Sequence, residues 1–210
     1  MHRTAVVVAF ACLAIASPAA ADEGPGGRRD HTVSIELQAR FGGGATWMER
    51  EPSLAFLTEH QGAGHLGASL SVRELTTGLG ATVAYSHVFM GIGDRYGTHA
   101  VDLRLSERYT LVHGLRSGRP LELSVLAELG GLYAPGGATD GCFICASGST
   151  NQTYYVTVAG VVGAIGLLLQ YGHFLFGLEA NYRYLVGVEG PVKQEHQVLG
   201  LLRVGIVIDV

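Results

Sequence analysis

Residues 196–210, HQVLGLLRVGIVIDV, indicate the fold most clearly. Apolar side chains occupy every second position from Leu202 to Val210, and Arg203 and Gly205 lie between them. Such alternation with a period of two is typical of a β-strand, because an amphipathic helix needs spacings of three and four. The segment therefore predicts a strand with one apolar and one polar face.

The same alternation recurs along the chain and predicts six further strands. Their ranges are residues 32–41, 64–74, 78–88, 98–112, 120–133 and 174–185. Residues 153–169, TYYVTVAGVVGAIGLLL, carry no charge and no clear period, so a transmembrane helix is the alternative there. The run is short for a spanning helix of about 20 residues, is rich in Val and Gly and is flanked by strands. We interpret it as an eighth strand with a small inner face.

The predicted connections differ in length at the two ends of these strands. Residues 75–77, 113–119 and 170–173 form short connections at one end, whereas residues 48–63 and 134–152 form long ones at the other. Residues 91–97 and 187–195 form connections of intermediate length at the longer end. Short turns on one side and longer loops on the other are typical of bacterial transmembrane barrels, in which the short turns are periplasmic.

The amino-acid composition excludes two classes of protein. Charged residues make up 15% of the chain, against about 25% in soluble domains, and glycine, at 31 of 210 residues, is about twice as frequent as usual. High hydrophobicity with little charge excludes intrinsic disorder. The 14 Lys and Arg residues do not outnumber the 18 Asp and Glu residues, so we expect no nucleic-acid partner.

The first 31 residues precede the predicted barrel. Arg3, an apolar run over residues 4–16 and the small residues Ala19 and Ala21 form the pattern of a cleaved signal peptide over residues 1–21. A membrane anchor is disfavoured because the run is too short to span about 30 Å. Cys12 lies inside the apolar run rather than at its end, which disfavours a lipoprotein. Residues 22–31 are a polar leader, and residues 32–210 are the predicted barrel domain.

Strand-borne charges fall on the face opposite the apolar one. The five acids and six arginines nearly cancel, and the fork of arginine suits buried carboxylate contacts, so we predict a charge network inside the barrel. Its predicted members are Glu36, Arg40, Arg73, Asp102, Arg104, Arg108, Glu122, Glu128, Glu179, Arg183 and Arg203. Glu107 alone falls on the apolar face, which indicates either a β-bulge or a place at the membrane interface.

A soluble, secreted or periplasmic barrel of the lipocalin type, with an apolar ligand inside, is the alternative fold. It would place the apolar face inward and the charges outward. The shortage of charge and the aromatic residues near strand ends, where interfacial girdles lie, favour the membrane instead. These aromatic residues are Trp47, Phe89, Tyr109, Tyr133, Tyr154, Phe174 and Tyr184.

The terminal strand and the strand pattern together resemble the small eight-stranded outer-membrane barrels of the OmpA/OmpX type. The resemblance implies an all-β fold, an eight-stranded antiparallel up-and-down transmembrane β-barrel in the bacterial outer membrane. It also implies that periplasmic chaperones and the barrel-assembly machinery are partners, besides the outer-membrane lipid. The C-terminal assembly strand would present Leu202, Val204, Ile206, Ile208 and Val210. Val210 stands where the family usually has an aromatic residue.

Candidate chemistry is sparse. Cys142 and Cys145 lie in the longest glycine-rich loop, without the βαβ context of a redox pair or a second pair of zinc ligands, and we predict a disulfide. Enzymes that modify lipid A acyl chains occur on this fold, but Ser86 and His87 are adjacent in a strand and point to opposite faces. His60 and His65 flank a loop end without metal-ligand spacing.

We therefore predict no catalytic residue, no metal and no cofactor. The predicted function is that of a non-enzymatic outer-membrane barrel with a filled polar interior. Extracellular loops would carry its role, which is adhesion, envelope maintenance or contact with an unknown ligand. The soluble ligand carrier and, third, the lipid A acyl-modifying enzyme are the alternatives.

Overall fold

The computed structural model describes residues 32–50, 60–90, 96–116, 118–140, 153–190 and 192–210. The predicted signal peptide, the polar leader and both loop cysteines lie outside these residues. The strands are β1 Val33–Arg50, β2 His60–Glu74, β3 Leu79–Met90, β4 Tyr96–Arg116, β5 Arg119–Asp140, β6 Thr153–Tyr171, β7 Phe174–Glu189 and β8 Val192–Asp209. Within the described ranges, no helix has the length and apolar character needed to cross a membrane.

The eight strands form a closed barrel. Each strand pairs antiparallel with its neighbours in sequence, and β8 pairs back onto β1. The predicted fold class, an eight-stranded antiparallel up-and-down barrel, is confirmed, and so is the resemblance to the architecture of the small outer-membrane barrels. Closure gives every strand two partners, so the sheet has no unpaired edge.

The register of the paired strands fixes the tilt of the barrel. Starting at Leu37 on β1 and following paired residues once around, the path returns to β1 at Trp47, which is 47 − 37 = 10 positions further along. The residues on this path are Leu37, Leu70, Val83, Leu103, Gly131, Val161, Tyr184, His196 and Trp47. Such a stagger over eight strands tilts them by about 40° and leaves an interior just wide enough for side chains.

The connections at the short-turn end are tight. Residues 75–78 join β2 to β3, residues 117–118 join β4 to β5, and residues 172–173 join β6 to β7. Gly172 has a φ of 58°, a left-handed conformation that glycine adopts without strain. The turn predicted over residues 113–119 is thus much shorter than expected, because β4 and β5 continue to pair up to Arg116 and Arg119.

The connection predicted over residues 187–195 is also too long. β7 continues to Glu189 and β8 begins at Val192, so residues 190–191 alone connect them. β8 keeps a pairing partner in β1 up to Arg50. The longer connections at this end therefore number three rather than four.

Glu107 does not mark a bulge. It pairs with Leu79 on β3 and Ala127 on β5 without a break in register, and its side chain is exposed on the outer face. The register shift nearest to it lies between Thr110 and Val112, closer to the turn. Of the two interpretations offered from sequence, the bulge at Glu107 is wrong.

Candidate functional site

The barrel interior holds a central layer of ion pairs built around Arg104. Its guanidinium donates hydrogen bonds to both carboxylate oxygens of Asp102, at 2.6 and 2.9 Å, and to Glu128 at 2.9 Å and Glu179 at 3.3 Å. All four side chains are at most 1% exposed. One arginine on β4 therefore ties carboxylates on β4, β5 and β7 together.

Arg203 on β8 completes this layer. It donates to Glu128 Oε2 at 2.5 Å, to Glu179 Oε2, and to the amide oxygen of Gln38 at 3.3 Å. Charged hydrogen bonds of this kind are about twice as strong as neutral ones. Glu128 and Glu179 are each held by two arginines from different strands.

Arg40 on β1 lies in the same layer but is bound more loosely. Its nearest carboxylate oxygens are those of Glu128 at 3.5 Å and Glu179 at 4.0 Å, beyond good hydrogen-bond geometry. Among the described residues, none accepts a hydrogen bond from the Arg40 guanidinium, although the side chain is 1% exposed. Arg40 thus contributes charge to the layer without the directional contacts of Arg104.

A lower layer, nearer the short turns, centres on Glu36. Its Oε1 accepts hydrogen bonds from Arg73 at 3.2 Å and Arg108 at 3.1 Å, and its Oε2 accepts one from Gln38 at 2.8 Å. Arg108 also forms an ion pair with the half-buried Glu122 at 3.2 Å. Gln38 contacts both layers, so the polar core is continuous between them.

Arg183 extends the network toward the loop end. It donates to Asn181 at 3.2 Å, to Ser86 at 3.3 Å and to Nε2 of His65 at 3.1 Å. Since arginine only donates, Nε2 of His65 must accept, so His65 is neutral with its proton on Nδ1. His65 belongs to this polar core, a role that the sequence analysis missed because it lay near a predicted loop end. The His60 side chain lies outside the description.

Glu195 on β8 is a second residue that the sequence analysis missed. It is fully buried, and its Oε1 accepts hydrogen bonds from Thr46 at 3.1 Å and Gln197 at 2.7 Å. The inward positions of β8 are the odd ones, and Glu195 lies two residues before Gln197, so the alternation already contained this signal. With it, the buried and half-buried charges of these layers are six arginines and six acids.

The predicted filled polar interior holds apolar side chains as well. Thirteen buried apolar residues form a cluster toward the loop end, including Leu132, Val158 and Leu199, and four form another toward the turns, including Leu126 and Leu168. The inner face of β6 is likewise not uniformly small, because Val156, Val158, Val162 and Leu168 lie on it. These apolar residues lie beside the charged ones on neighbouring strands, since Val207 pairs with Glu36 and Leu132 pairs with Asp102. The described interior is filled.

The outer face carries an apolar belt between two aromatic rims. Leu103 and Leu105 on β4 are 62% and 73% exposed. On β7, Phe174 and Tyr184 both face outward and are ten residues apart, which is about 25 Å along the axis of a barrel with strands tilted by about 40°. Transmembrane barrels present an apolar band of about 25 Å between aromatic girdles.

The other predicted rim residues also face outward where they are described. Trp47, Phe89, Tyr109 and Tyr133 lie on the outer face, and the Phe89 ring covers Gly64 on β2. The side chain of Tyr154 lies outside the description. The alternating residues of β8 from Leu202 to Val210 face outward too, with exposures of 41–61%.

Three solved barrels are similar to this chain in structure. The N-terminal β-barrel domain of Pseudomonas aeruginosa OprF has 18% sequence identity and a TM-score of 0.39, over 83% of this chain and 97% of that one. Neisserial surface protein A has 15% identity and a TM-score of 0.40, over 85% of this chain and 97% of that one. The outer membrane protein OprG from Pseudomonas aeruginosa has 13% identity and a TM-score of 0.41, over 88% of this chain and 99% of that one. No family model and no curated protein matches the chain. Similarity at this level carries no weight for function, which must be inferred from the barrel's own residues.

The rim at the loop end contains two groups in which histidine joins the aromatic residues. On β3 and β4, the ring centroids of His87 and His99 are 4.3 Å apart, and Tyr85 Oη lies 2.6 Å from His99 Nδ1. On β1, β7 and β8, His196 stacks on Trp47 with centroids 5.5 Å apart and contacts Tyr182 and Tyr184. Within the described ranges, no three His, Cys, Asp or Glu side chains converge as metal ligands.

Proposed function

We propose that this protein is an integral β-barrel of the bacterial outer membrane, non-enzymatic, whose filled interior stabilises a scaffold for its longer connections. The observation that carries the proposal is the inverted distribution of residues. Leu103 and Leu105 are more than half exposed, whereas the Arg104 side chain between them is 1% exposed. In water this arrangement would expose a large apolar surface and bury charges at a cost in free energy. In lipid, the outer leucines contact hydrocarbon and the inner charges pair with one another.

The soluble alternative requires the opposite arrangement. A ligand carrier of the lipocalin type holds an apolar cavity inside and presents charge outside. Here charged layers cross the described interior, and the large exposed apolar residues occur on all eight strands. Burial of an isolated charge in so narrow a lumen is costly unless it is paired, and the pairing found here is typical of a plugged transmembrane barrel rather than of a ligand cavity.

A lipid A acyl-modifying enzyme is not favoured by the described residues. Ser86 points into the barrel, where Arg183 donates to its Oγ, and the neighbouring His87 lies on the outer face. A Ser–His pair would have to lie on one face within hydrogen-bond reach. The role is therefore assigned to the connections at the loop end, in adhesion, envelope maintenance or contact with a ligand of unknown chemistry.

Export and assembly follow from the same proposal. Residues 1–21 would direct export and be removed, so that the mature chain begins at Asp22. Periplasmic chaperones and the barrel-assembly machinery would deliver it to the outer-membrane lipid, as the outward-facing alternation of β8 suggests. N-terminal sequencing of protein from the cell envelope should return Asp22, and recovery of Met1 or of a lipid-modified Cys12 would contradict the processing step.

Membrane fractionation tests the proposal most directly. The protein should stay in the outer-membrane fraction after washing with carbonate and high salt, and should migrate faster on a gel when unheated than when boiled. A closed hydrogen-bonded sheet resists detergent until it is heated. Release into the soluble fraction by carbonate would instead support the ligand carrier. For the enzyme alternative, lipid A from a deletion strain should have an unchanged acyl pattern.

A further inference from the structure

The histidine pair His87 and His99 on the outer rim has a geometry that the proposed function does not explain. The two residues are direct partners across antiparallel strands β3 and β4, so their side chains leave the same face of the sheet. Directly opposed residues have Cβ atoms about 4.5–5.5 Å apart. Their ring centroids lie 4.3 Å apart with planes 34° from parallel.

This spacing suits chelation of one metal ion. Zinc binds imidazole nitrogen at about 2.0–2.1 Å, so two nitrogens on the same ion are at most about 4.2 Å apart. The ring centroids of His87 and His99 are 4.3 Å apart, which brings the two imidazoles close enough to share one ion. Because the two residues are directly paired, rotation of the imidazoles about their side-chain bonds would turn one nitrogen of each toward a shared ion.

Tyr85 forms a hydrogen bond that would orient the His99 ring for metal binding. Its hydroxyl lies 2.6 Å from Nδ1 of His99, on the same outer face. When Nδ1–H donates to the hydroxyl, Nε2 is left as the ligand atom. Metal-binding histidines usually hold their other ring nitrogen in such a hydrogen bond, which fixes the tautomer and the ring orientation.

The position of the pair gives an ion access to water. His99 is exposed and lies ten residues from Tyr109 on β4, the same spacing as that between Phe174 and Tyr184 on β7. The pair therefore lies in the aromatic rim at the loop end, about 25 Å from the opposite rim. An ion held there keeps water in its remaining coordination positions.

We propose that His87 and His99 form a two-histidine site for one divalent transition-metal ion on the outer surface of the barrel. Imidazole suits zinc, copper and nickel, with copper(II) bound most tightly among them. The other rim histidine, His196, provides an internal contrast. It contacts Trp47, Tyr182 and Tyr184, and among the described side chains no second histidine ring touches it.

Titration of the purified, folded barrel in detergent with copper(II) or zinc alone tests the site. The dissociation constant should rise at least tenfold in His87→Gln and in His99→Gln, and remain unchanged in the matched control His196→Gln. Tyr85→Phe keeps both ligands and removes only the hydrogen bond to Nδ1, and it should weaken binding about tenfold. Migration of unheated protein on a gel verifies that each variant is folded.

Electron paramagnetic resonance of the copper(II) complex counts the ligands. The wild-type spectrum should show two imidazole nitrogens at this site, and each single variant should show one. Equal binding by the wild type and by the doubly substituted His87→Gln, His99→Gln protein would overturn the proposal, as would a wild-type spectrum without the second nitrogen. The measurement uses the isolated barrel, so its outcome is independent of where the protein resides in the cell.

Discussion

Replacement of Arg104 by methionine should destabilise the barrel by about 3–5 kcal/mol, the usual cost of removing one partner from a buried ion pair. Arg104 donates four hydrogen bonds to three carboxylates. Glu128 and Glu179 keep Arg203 after the substitution, but Asp102 loses both of its short contacts and, among the described residues, retains Arg183 alone at 3.8 Å. The loss is therefore dominated by the stranded Asp102. Methionine is flexible enough to fill the vacated volume.

Arg40→Met is the matched control, since it removes the same charge from the same layer. Arg40 is bound at 3.5 and 4.0 Å without a hydrogen bond from its guanidinium to any described residue, and its carboxylate neighbours keep Arg203 and Arg104. Removing it relieves the desolvation of one guanidinium and strands no carboxylate. We expect a change of about 0–1.5 kcal/mol in either direction, because buried charges are often neutral for stability when replaced by apolar groups.

Urea unfolding of the barrel in phospholipid vesicles, followed by the gel shift between folded and unfolded forms, measures both changes. The two variants should differ by at least about 1.5 kcal/mol, or about 12-fold in the folding equilibrium constant. Equal destabilisation by the two substitutions would refute the assignment of stability to directional contacts. A cost below about 1 kcal/mol for Arg104→Met would show that water reaches the central layer.

Three further predictions concern the outer face, the lumen and the loop cysteines. Leu103→Arg, in the middle of the apolar belt, should cost about 2–4 kcal/mol in vesicles, whereas Leu115→Arg beside the short turn should cost about 0–1 kcal/mol; equal costs would contradict the position of the belt. Planar-bilayer recordings should show no stable conductance of general-porin size, because both charged layers and both apolar clusters fill the described lumen, and an open pore would show that the facing of these residues is wrong. Thiol labelling of unreduced exported protein should find no free thiol at Cys142 or Cys145, and stoichiometric labelling of both would rule out the disulfide.

The strands were predictable from sequence because lipid and lumen impose opposite demands on alternate positions. In β8, Arg203 faces inward while Leu202 and Val204 face outward, as the alternation indicated. Strand ends were less predictable, since segments near the connections lose the alternation and yet continue to pair. β7 and β8 extend to Glu189 and Val192 for this reason.

The apolar residues of the lumen were not predicted, because the two faces of each strand were assigned by hydrophobicity. Hydrophobicity assigned apolar residues to the lipid face, so Leu199 and Leu201 were passed over, although the alternation places them on the same odd-numbered face as Arg203. The partners within the ion pairs could not be predicted from sequence either. Arg203 meets Glu128 across the lumen although β8 and β5 do not pair, a contact that depends on the curvature and stagger of the closed sheet.

The central layer also has a consequence for how the barrel closes. Arg203 arrives on β8, the last strand, and supplies counter-charge to Glu128 and Glu179, which lie on β5 and β7. Arg203 reaches Glu179 once β8 pairs with β7, whereas its contact with Gln38 on β1 requires the seam between β1 and β8 to close. A slip of one residue at the seam would turn Arg203 toward lipid and Leu202 toward the lumen, because side chains alternate with a period of two. The ion pairs therefore favour the native register of the final strand, because a barrel closed in another register would lose these buried contacts.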